Sequence, residues 1–212
     1  MGLPLPCGAM RASTTPRATL VAALAVIALV AGCGGGDDDK GGSRDVRANG
    51  TDAAFVNAMI PHHEAAVDAA DLALSRAEHR RLESLAEGIV QFQSAELATL
   101  RTVRDVVQGA GVEEGDLGLS RSEQGMDHDP AELRDVADFD CAFMEMMIPH
   151  HEGAIRMARA ELEAGIHAEL RRMSENIINS QGFEIRQMKR FQRQWCDPSS
   201  SEHPSGTEEH GG

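Results

Sequence analysis

Apolar residues recur at helical spacing through the central part of the chain. At 100° per residue, Phe55, Met59, His62, Ala66 and Ala73 fall within about 40° of one direction and form one face of a helix. This pattern predicts a first helix from about residue 52 to a break at residues 75–78. On the same helical wheel, residue 63 lies at the edge of the apolar face and residue 64 lies on the far side.

A second helix is predicted from about residue 79 to residue 108, because its apolar positions keep the same period. These positions are Leu82, Leu85, Ile89, Phe92, Leu97, Leu100 and Val103. A connector rich in glycine and acidic residues follows, and Asp129 and Pro130 then indicate the N-cap and first residue of a short helix to about residue 137. A third helix is predicted from residue 140 to a turn at Gly165, and a fourth helix is predicted from this turn to about Trp195.

One hexapeptide, Met-Ile-Pro-His-His-Glu, occurs twice, at residues 59–64 and 147–152. Shifting the chain by 88 positions aligns residues 52–101 with residues 140–189 without a gap, and 18 of the 50 pairs are identical. A repeat found only twice indicates a duplicated helical hairpin and not a solenoid, which needs three or more units. The expected fold is therefore all-α: a four-helix bundle built from two duplicated helical hairpins, at residues 51–108 and 139–197, with residues 109–138 as the connector.

The ends of the chain have the composition of an export signal and of flexible segments. Residues 1–33 combine Arg11 and Arg17 with an apolar run of about 14 residues, which is too short to span a membrane. Val-Ala-Gly-Cys at residues 30–33 resembles a bacterial lipobox, so Cys33 is expected to carry lipid, although an ordinary signal peptide is the alternative. Residues 34–50 read as a flexible tether and residues 198–212, with His203 and His210, as a disordered tail.

The negative charge of the chain argues against one class of partner, nucleic acids. The formal net charge is −14, and without the two arginines of the signal it becomes −16. A nucleic-acid partner is disfavoured because phosphate binding needs clustered Lys and Arg. The absence of tyrosine and the single tryptophan favour helix over sheet. This balance suits a soluble protein, or one that collects cations. The membrane is expected to be reached only through the lipid anchor.

Two cysteines remain in the mature part, Cys141 at the start of the third helix and Cys196 at the end of the fourth. The ends of an antiparallel hairpin lie close together, and an exported protein meets an oxidising compartment, so a disulfide is expected. Two thiolate metal ligands and two free buried thiols are the alternatives. The first hairpin has Ala53 and Gln108 at the matching positions.

The two hexapeptides concentrate metal ligands. Imidazole suits copper, zinc, iron and nickel, and a thioether adds a preference for Cu(I). The predicted ligands are the Met, the His pair and the Glu of each copy: Met59, His62, His63, Glu64, Met147, His150, His151 and Glu152. The partner helices repeat a Gln and a Glu at i,i+3, which would supply oxygen ligands or orient the imidazoles: Gln93, Glu96, Gln181 and Glu184. The alternative is that these side chains only hydrogen-bond across a bundle core, with methionine as filler.

Methionine is unevenly distributed between the halves. Of the eight methionines after residue 33, seven lie in the second half. Met126 and His128 on the connector are candidates for an exposed arm that binds soft metals. The asymmetry predicts that the second hexapeptide binds copper more tightly than the first.

Several enzyme classes are excluded by spacing. A zincin needs His-Glu-x-x-His, and both copies lack the second histidine. A di-iron carboxylate bundle needs Glu-x-x-His on two helices, and that tetrapeptide does not occur. The sequence also contains no phosphate-binding loop and no Gly-x-Ser-x-Gly elbow.

The stretch around the second hexapeptide, Phe-Met-Glu-Met-Met-Ile-Pro-His-His-Glu-Gly-Ala-Ile-Arg-Met-Ala at residues 143–158, resembles the signature of the bacterial domain-of-unknown-function family 305. The likeness covers roughly residues 51–195. It implies a ferritin-like four-helix fold and extracytoplasmic copper handling of a metallochaperone type, through the Met and His residues of both copies. The first copy departs from this signature, with Ala58, Ala65 and Ala69 where the second has Met146, Gly153 and Met157.

Together these features predict an exported, lipid-anchored protein without enzymatic activity. Its expected cargo is copper, with zinc or another transition metal as alternatives, and its expected partners are a metal-accepting protein or a second copy of the chain. A cell-envelope interaction module with purely structural His-His-Glu motifs is the second hypothesis. A redox enzyme with an unusual metal centre is the third.

Overall fold

A computed structural model describes residues 47–196. The export signal with Cys33, nearly all of the tether and the tail from residue 197 onward lie outside the described residues. Four long helices follow one another: α1 Gly50–Arg76, α2 Arg80–Gly109, α3 Phe139–Ala164 and α4 Ala168–Trp195. A short 3₁₀ helix, Pro130–Asp135, precedes α3 and begins at the Asp129 cap, as the sequence predicts. The all-α, four-helix prediction is confirmed.

Helix α1 starts slightly earlier than expected. Asn49 is its N-cap and accepts hydrogen bonds from the backbone N–H groups of Thr51 and Asp52. The Asp52 carboxylate in turn accepts from the Asn49 N–H at 2.6 Å, which completes a capping box. Asp52 is therefore the third helical residue and not the cap that the sequence suggested.

The helices pack as two antiparallel hairpins. α1 lies along α2, α3 lies along α4, and α1 also packs against α3, whereas α2 and α4 barely touch. Buried apolar side chains form two clusters at opposite ends of the bundle, one around Phe143 and Leu82 and the other around Phe55 and Leu170. Since each cluster takes one end of every helix, the middle of the bundle lies between two apolar layers.

Each hairpin turn is held by an aspartate of the other hairpin. Asp140, at the start of α3, accepts from the backbone N–H groups of Glu78 and His79, both at 3.0 Å. Asp52, at the start of α1, accepts from the N–H groups of Ile166 and His167 at 3.0 and 2.8 Å. This reciprocal arrangement explains why the aspartates recur in both halves of the sequence.

Two features distinguish the second hairpin. Cys141 and Cys196 form a disulfide across its open end, with 5.7 Å between their Cα atoms. The connector also lies directly on α3: a Cβ added to Gly153 would come within 2.0 Å of the Gln124 carbonyl oxygen. On the connector, Gly125 adopts a φ of +74° and packs against the backbone of α3. The corresponding residue of the first hairpin is Ala65, so only the second hexapeptide is covered in this way.

Candidate metal centre

Both histidine pairs lie in the middle of the bundle, between the two apolar clusters. Each pair follows a proline inside a long helix, Pro61 in α1 and Pro149 in α3. The four imidazoles are almost wholly buried, with exposed fractions of 0% for His62, His63 and His151 and 4% for His150. We call this group, His62, His63, His150 and His151, the histidine layer.

The inner histidines meet across the two hairpins. The ring centroids of His62 and His150 are 3.7 Å apart, with an angle of 34° between the ring planes. The Nε2 atom of His62 donates to the His150 carbonyl oxygen at 3.0 Å. Each outer ring, His63 or His151, lies 6.2 Å from its inner neighbour. The four rings therefore form a row, with the two pairs related by the sequence repeat.

A carboxylate on the partner helix holds each outer histidine. The Nε2 atom of His63 lies 2.8 Å from Glu96 Oε2, and the Nε2 atom of His151 lies 2.7 Å from Glu184 Oε2. A carboxylate accepts, so Nε2 carries the proton, and in a neutral ring Nδ1 then carries a lone pair. The same carboxylate–histidine arrangement orients imidazole ligands in metal sites. The structure therefore brings Glu96 and Glu184 to the places where the sequence predicts orienting groups.

Among residues 47–196, five nitrogens of the histidine layer find no hydrogen-bond partner: the Nδ1 atoms of all four histidines and Nε2 of His150. Both amide atoms of Gln93 and Gln181, on the partner helices, are also without one. Leaving a buried polar atom unpaired costs about 1–3 kcal/mol, and native structures contain few such atoms. Five such nitrogens on four neighbouring imidazoles need a physical explanation, and a bound cation that accepts nitrogen lone pairs provides one.

The charge state of the inner rings suits this explanation. Burial, followed by the positive charge that neighbouring histidines would carry, holds the pKa of His62 well below its ordinary value. Burial and the neighbouring His151 and His63 act in the same way on the pKa of His150. Both rings are therefore neutral near pH 7, and a neutral imidazole keeps the lone pair that a metal ion needs.

The two glutamates of the hexapeptides lie elsewhere, and this corrects the predicted ligand set. Glu64 forms an ion pair with Arg101 at 2.7 Å, and Glu152 forms one with Lys189 at 2.8 Å. Both pairs lie on the outside of the bundle, with nearly half of each glutamate side chain exposed. In a helix, the residue after the second histidine turns by a further 100° and leaves the buried face.

The methionines lie beside the layer and not in it. Met59 belongs to one apolar cluster and Met147 to the other, and both are fully buried. On the connector, Met126 is half-buried and His128 is exposed, with its Nδ1 atom 3.6 Å from a Glu132 oxygen. The proposed soft-metal arm therefore contains only one exposed candidate ligand.

Within residues 47–196, no three His, Cys, Asp or Glu side chains converge on one point as metal ligands. The donors are brought together in one buried row, but in these ring orientations they do not enclose a single ion. Cys141 and Cys196 are joined to each other, which excludes the thiolate alternative.

A broad cleft between α2 and α4 is lined by the two carboxylates that hold the outer histidines. Its volume is about 1150 Å³, and its lining includes Glu96 and Glu184. Phe92 and Phe183 also line it and are 61% and 56% exposed. The helical spacing of Phe92 suggested a core position, but the separation of α2 from α4 leaves the ring at the cleft. No pattern in the sequence indicated this cleft, since it depends on how far apart the two helices stand.

The fold and the histidine layer define a class: a duplicated four-helix bundle with buried nitrogen and oxygen donors at its centre. The family model of DUF305, a domain of unknown function, matches residues 52–192, and the chain belongs to this family. The predicted family is thus confirmed. A search of curated proteins finds no match.

Solved structures agree with this assignment. CopM in its Cu(I)-bound form is 32% identical, with a TM-score of 0.58, over 69% of this chain and 98% of that chain. CopM in its Cu(II)-bound form is 33% identical, with a TM-score of 0.59, over 68% and 97%. A DUF305 fragment from Deinococcus radiodurans is 28% identical, with a TM-score of 0.56, over 68% and 96%.

Proposed function

We propose that this protein binds copper outside the cytoplasm and buffers or delivers it without catalytic turnover. The observation that carries the proposal is the histidine layer, in which four buried imidazoles keep Nδ1 atoms that no described residue hydrogen-bonds. Imidazole nitrogen is a good ligand for copper, and also for zinc and other transition metals. The solved CopM structures with Cu(I) and Cu(II) bound support copper over zinc.

Each side chain of the layer has a role in this proposal. The Nδ1 atoms of His63 and His151 bind metal, while Glu96 and Glu184 hold the opposite ring nitrogens. His62 and His150 would supply further nitrogens, in one shared site or in two. Met59 and Met147 lie one helical turn before the outer histidines, so their thioethers are the candidate soft ligands for Cu(I).

The location rests on the sequence. Residues 1–33 have the pattern of an export signal, and the proposed lipid on Cys33 would anchor the protein to the cell membrane. None of the helices in residues 47–196 has the length and apolarity needed to cross a membrane. A metal-accepting protein or a second copy of the chain would then be the partner, with the membrane reached only through the lipid.

A second candidate is an interaction module of the cell envelope with purely structural histidines. The bonds of His63 to Glu96 and of His151 to Glu184 favour it, because they tie α1 to α2 and α3 to α4. In that case the layer would stabilise the bundle and bind no metal. A redox enzyme is the least supported function, since di-iron spacing is absent from the sequence.

Metal titration separates these functions. We would titrate residues 37–212 with Cu(I), Cu(II) and Zn(II) in competition with chromophoric chelators, beside His150→Ala/His151→Ala and the surface control His128→Ala. The proposal expects sub-micromolar copper affinity in the parent and the control, and its loss in the double variant. Circular dichroism would show whether each variant is folded.

A second variant keeps the test decisive if the double variant unfolds. Glu96→Gln/Glu184→Gln preserves size and hydrogen bonding but removes the charge that orients the outer rings. Loss of such a partner lowers metal affinity by about 10- to 100-fold. A parent that binds no copper, or variants that bind as tightly as the parent, would contradict the proposal.

A further inference from the structure

We propose that Glu161 and Asp52 share one proton and form a pH-sensitive latch, which holds the start of α1 against the turn between α3 and α4 and opens as the pH rises. We call this group, Asp52, Glu161 and turn residues 165–167, the acid latch. It contains no residue of the histidine layer and requires no metal, so it is independent of the proposed function.

Both carboxyl groups lie against the same short turn. Asp52 accepts from the backbone N–H groups of Ile166 and His167, at 3.0 and 2.8 Å. The carboxyl group of Glu161 lies beside Gly165, where an added Cβ would come within 2.2 Å of Oε1 and 2.4 Å of Oε2. Both acidic residues are fully buried, with 0% of their surface exposed. The turn is therefore held by two carboxyl groups that are removed from solvent.

The surroundings of Glu161 favour its protonated form. Among residues 47–196, no N–H or O–H group donates to either Glu161 oxygen. The neighbouring cation, Arg171, donates instead to two backbone carbonyl oxygens. Asp52 already accepts three backbone N–H groups, the third from Asn49 at 2.6 Å. Two adjacent carboxyl groups can hydrogen-bond only when one carries a proton, and since Asp52 acts as the acceptor, the proton belongs to Glu161.

The duplicated first hairpin shows that the fold does not need this acid. The positions equivalent to Glu161 and Gly165 are Ala73 and Ala77. The glutamate and the glycine that makes room for its carboxyl group therefore occur together, and only in the second hairpin. A buried glutamate costs stability when it ionises, so a purely structural position would be filled at lower cost by the alanine of the first copy.

The turn histidines differ in the same way. In the first turn, Nδ1 of His79 donates to the Asp140 carboxylate at 2.7 Å. In the second turn, Nδ1 of His167 finds no partner among the described residues. Asp52 has Glu161 as its hydrogen-bonded neighbour where Asp140 has a histidine ring. The second turn has thus exchanged an imidazole contact for a contact between two acids.

The direction of the pH effect follows from the charges around Glu161. Burial, then the hydrogen bond to Asp52 and the negative charge of Asp52, raise the pKa of Glu161 from 4.5 to about 8, and Arg171 on α4 opposes this rise. In an open turn the carboxyl group regains water and its ordinary pKa. The closed latch then holds the proton more tightly, so it is favoured at low pH and loses this advantage as the pH rises from 4.5 to 8.

Amide hydrogen exchange in the intact chain, without metal, tests the latch. The protection factors of Ile166 and His167, corrected for the intrinsic rise of exchange with pH, should fall by up to about tenfold per pH unit between 4.5 and 8. The ¹³C shift of the Glu161 carboxyl carbon should titrate with a midpoint near 8. Protection factors that do not change with pH, or a midpoint near 4.5, would overturn the proposal.

Variants assign the effect to Glu161. Glu161→Gln still donates a hydrogen bond to Asp52 but does not titrate, so the fall in protection with pH should disappear. The control Glu163→Gln, exposed on the same helix, should keep it. Glu161→Ala gives the second turn the residue of the first and should also remove the fall, which covers the case in which Glu161→Gln does not fold.

Two outcomes would assign the effect to other groups. His167 is the other titratable group of the turn, so a pH dependence that is lost in His167→Gln but kept in Glu161→Gln overturns the proposal. A cation between the two acids would lack a third ligand, because no third His, Cys, Asp or Glu of residues 47–196 converges with them. A Glu161 carboxyl shift that changes when Ca²⁺ is added near pH 5 would indicate such a cation and would overturn the shared proton.

Discussion

The contact between the connector and α3 predicts that Gly153→Ala destabilises the protein. The added Cβ would lie 2.0 Å from the Gln124 carbonyl oxygen and 2.6 Å from the Gly125 backbone nitrogen. Both neighbours are backbone atoms, so no side-chain rotation relieves the clash. The connector must move away from α3, or α3 must shift.

The magnitude follows from two opposing effects. Alanine in a helix interior is more favourable than glycine by about 1 kcal/mol. Forcing an extra methyl group into a packed contact costs about 1–3 kcal/mol. At Gly88 in α2 no atom lies within 4 Å of an added Cβ, so Gly88→Ala keeps the gain without the clash. Gly153→Ala should therefore be less stable than Gly88→Ala by about 1–3 kcal/mol.

Urea unfolding followed by circular dichroism measures this difference. Gly88→Ala should raise the unfolding midpoint above that of the parent. The free energy of unfolding of Gly153→Ala, obtained from the same curves, should be about 1–3 kcal/mol below that of Gly88→Ala. Equal midpoints for the two variants would refute the close contact between the connector and the second hexapeptide.

Three further predictions concern groups outside the histidine layer. Burial, with a contribution from Asp52, raises the pKa of Glu161 from 4.5 to about 8. The folded state then holds this proton more tightly than the unfolded state, so stability should fall by up to about 1.4 kcal/mol per pH unit as pH rises from 4.5 to 8. Glu161→Gln should remove this fall, which urea midpoints near pH 5 and pH 8 would show. Reduction of the disulfide between Cys141 and Cys196, 55 residues apart, should lower stability by up to about 4 kcal/mol, measured as a lower unfolding midpoint with reductant. Asp140→Ala leaves two backbone N–H groups of the first turn unpaired, and a loss of about 2–4 kcal/mol is expected in the same assay.

Much of the architecture could be predicted because the sequence repeats it. The helical spacing of apolar residues indicates the four helices to within a few residues, and the duplication predicts two hairpins of the same design. The cysteines at the ends of the second hairpin predict the disulfide. The recurrence of Glu96 and Glu184 indicated that they bind metal or orient imidazoles, since a duplicated hairpin repeats its internal contacts; that they lie beside the outer histidines is seen only in the structure.

The rest depends on distances between elements that are far apart in sequence. The surface position of Glu64 follows from the helical wheel, yet its place in a ligand-rich hexapeptide favoured a metal role. The close approach of the His62 and His150 rings needs the packing of α1 against α3, which no local pattern encodes. The sequence marked Gly153 as a difference between the two copies, because the first copy has Ala65 at that position. The contact of Gly153 with the connector was visible only in the structure.

The central claim is that metal binds to the histidine layer through Nδ1 atoms, and imidazole ¹⁵N NMR tests it most directly. Cu(I) is diamagnetic, so each ring nitrogen can be followed as the ion is added without oxygen. The account predicts large shifts of Nδ1 in His63 and His151, with Nε2 remaining protonated, while His79 at the first turn stays unchanged. Shifts confined to the exposed His128, or no shift of any imidazole, would contradict it.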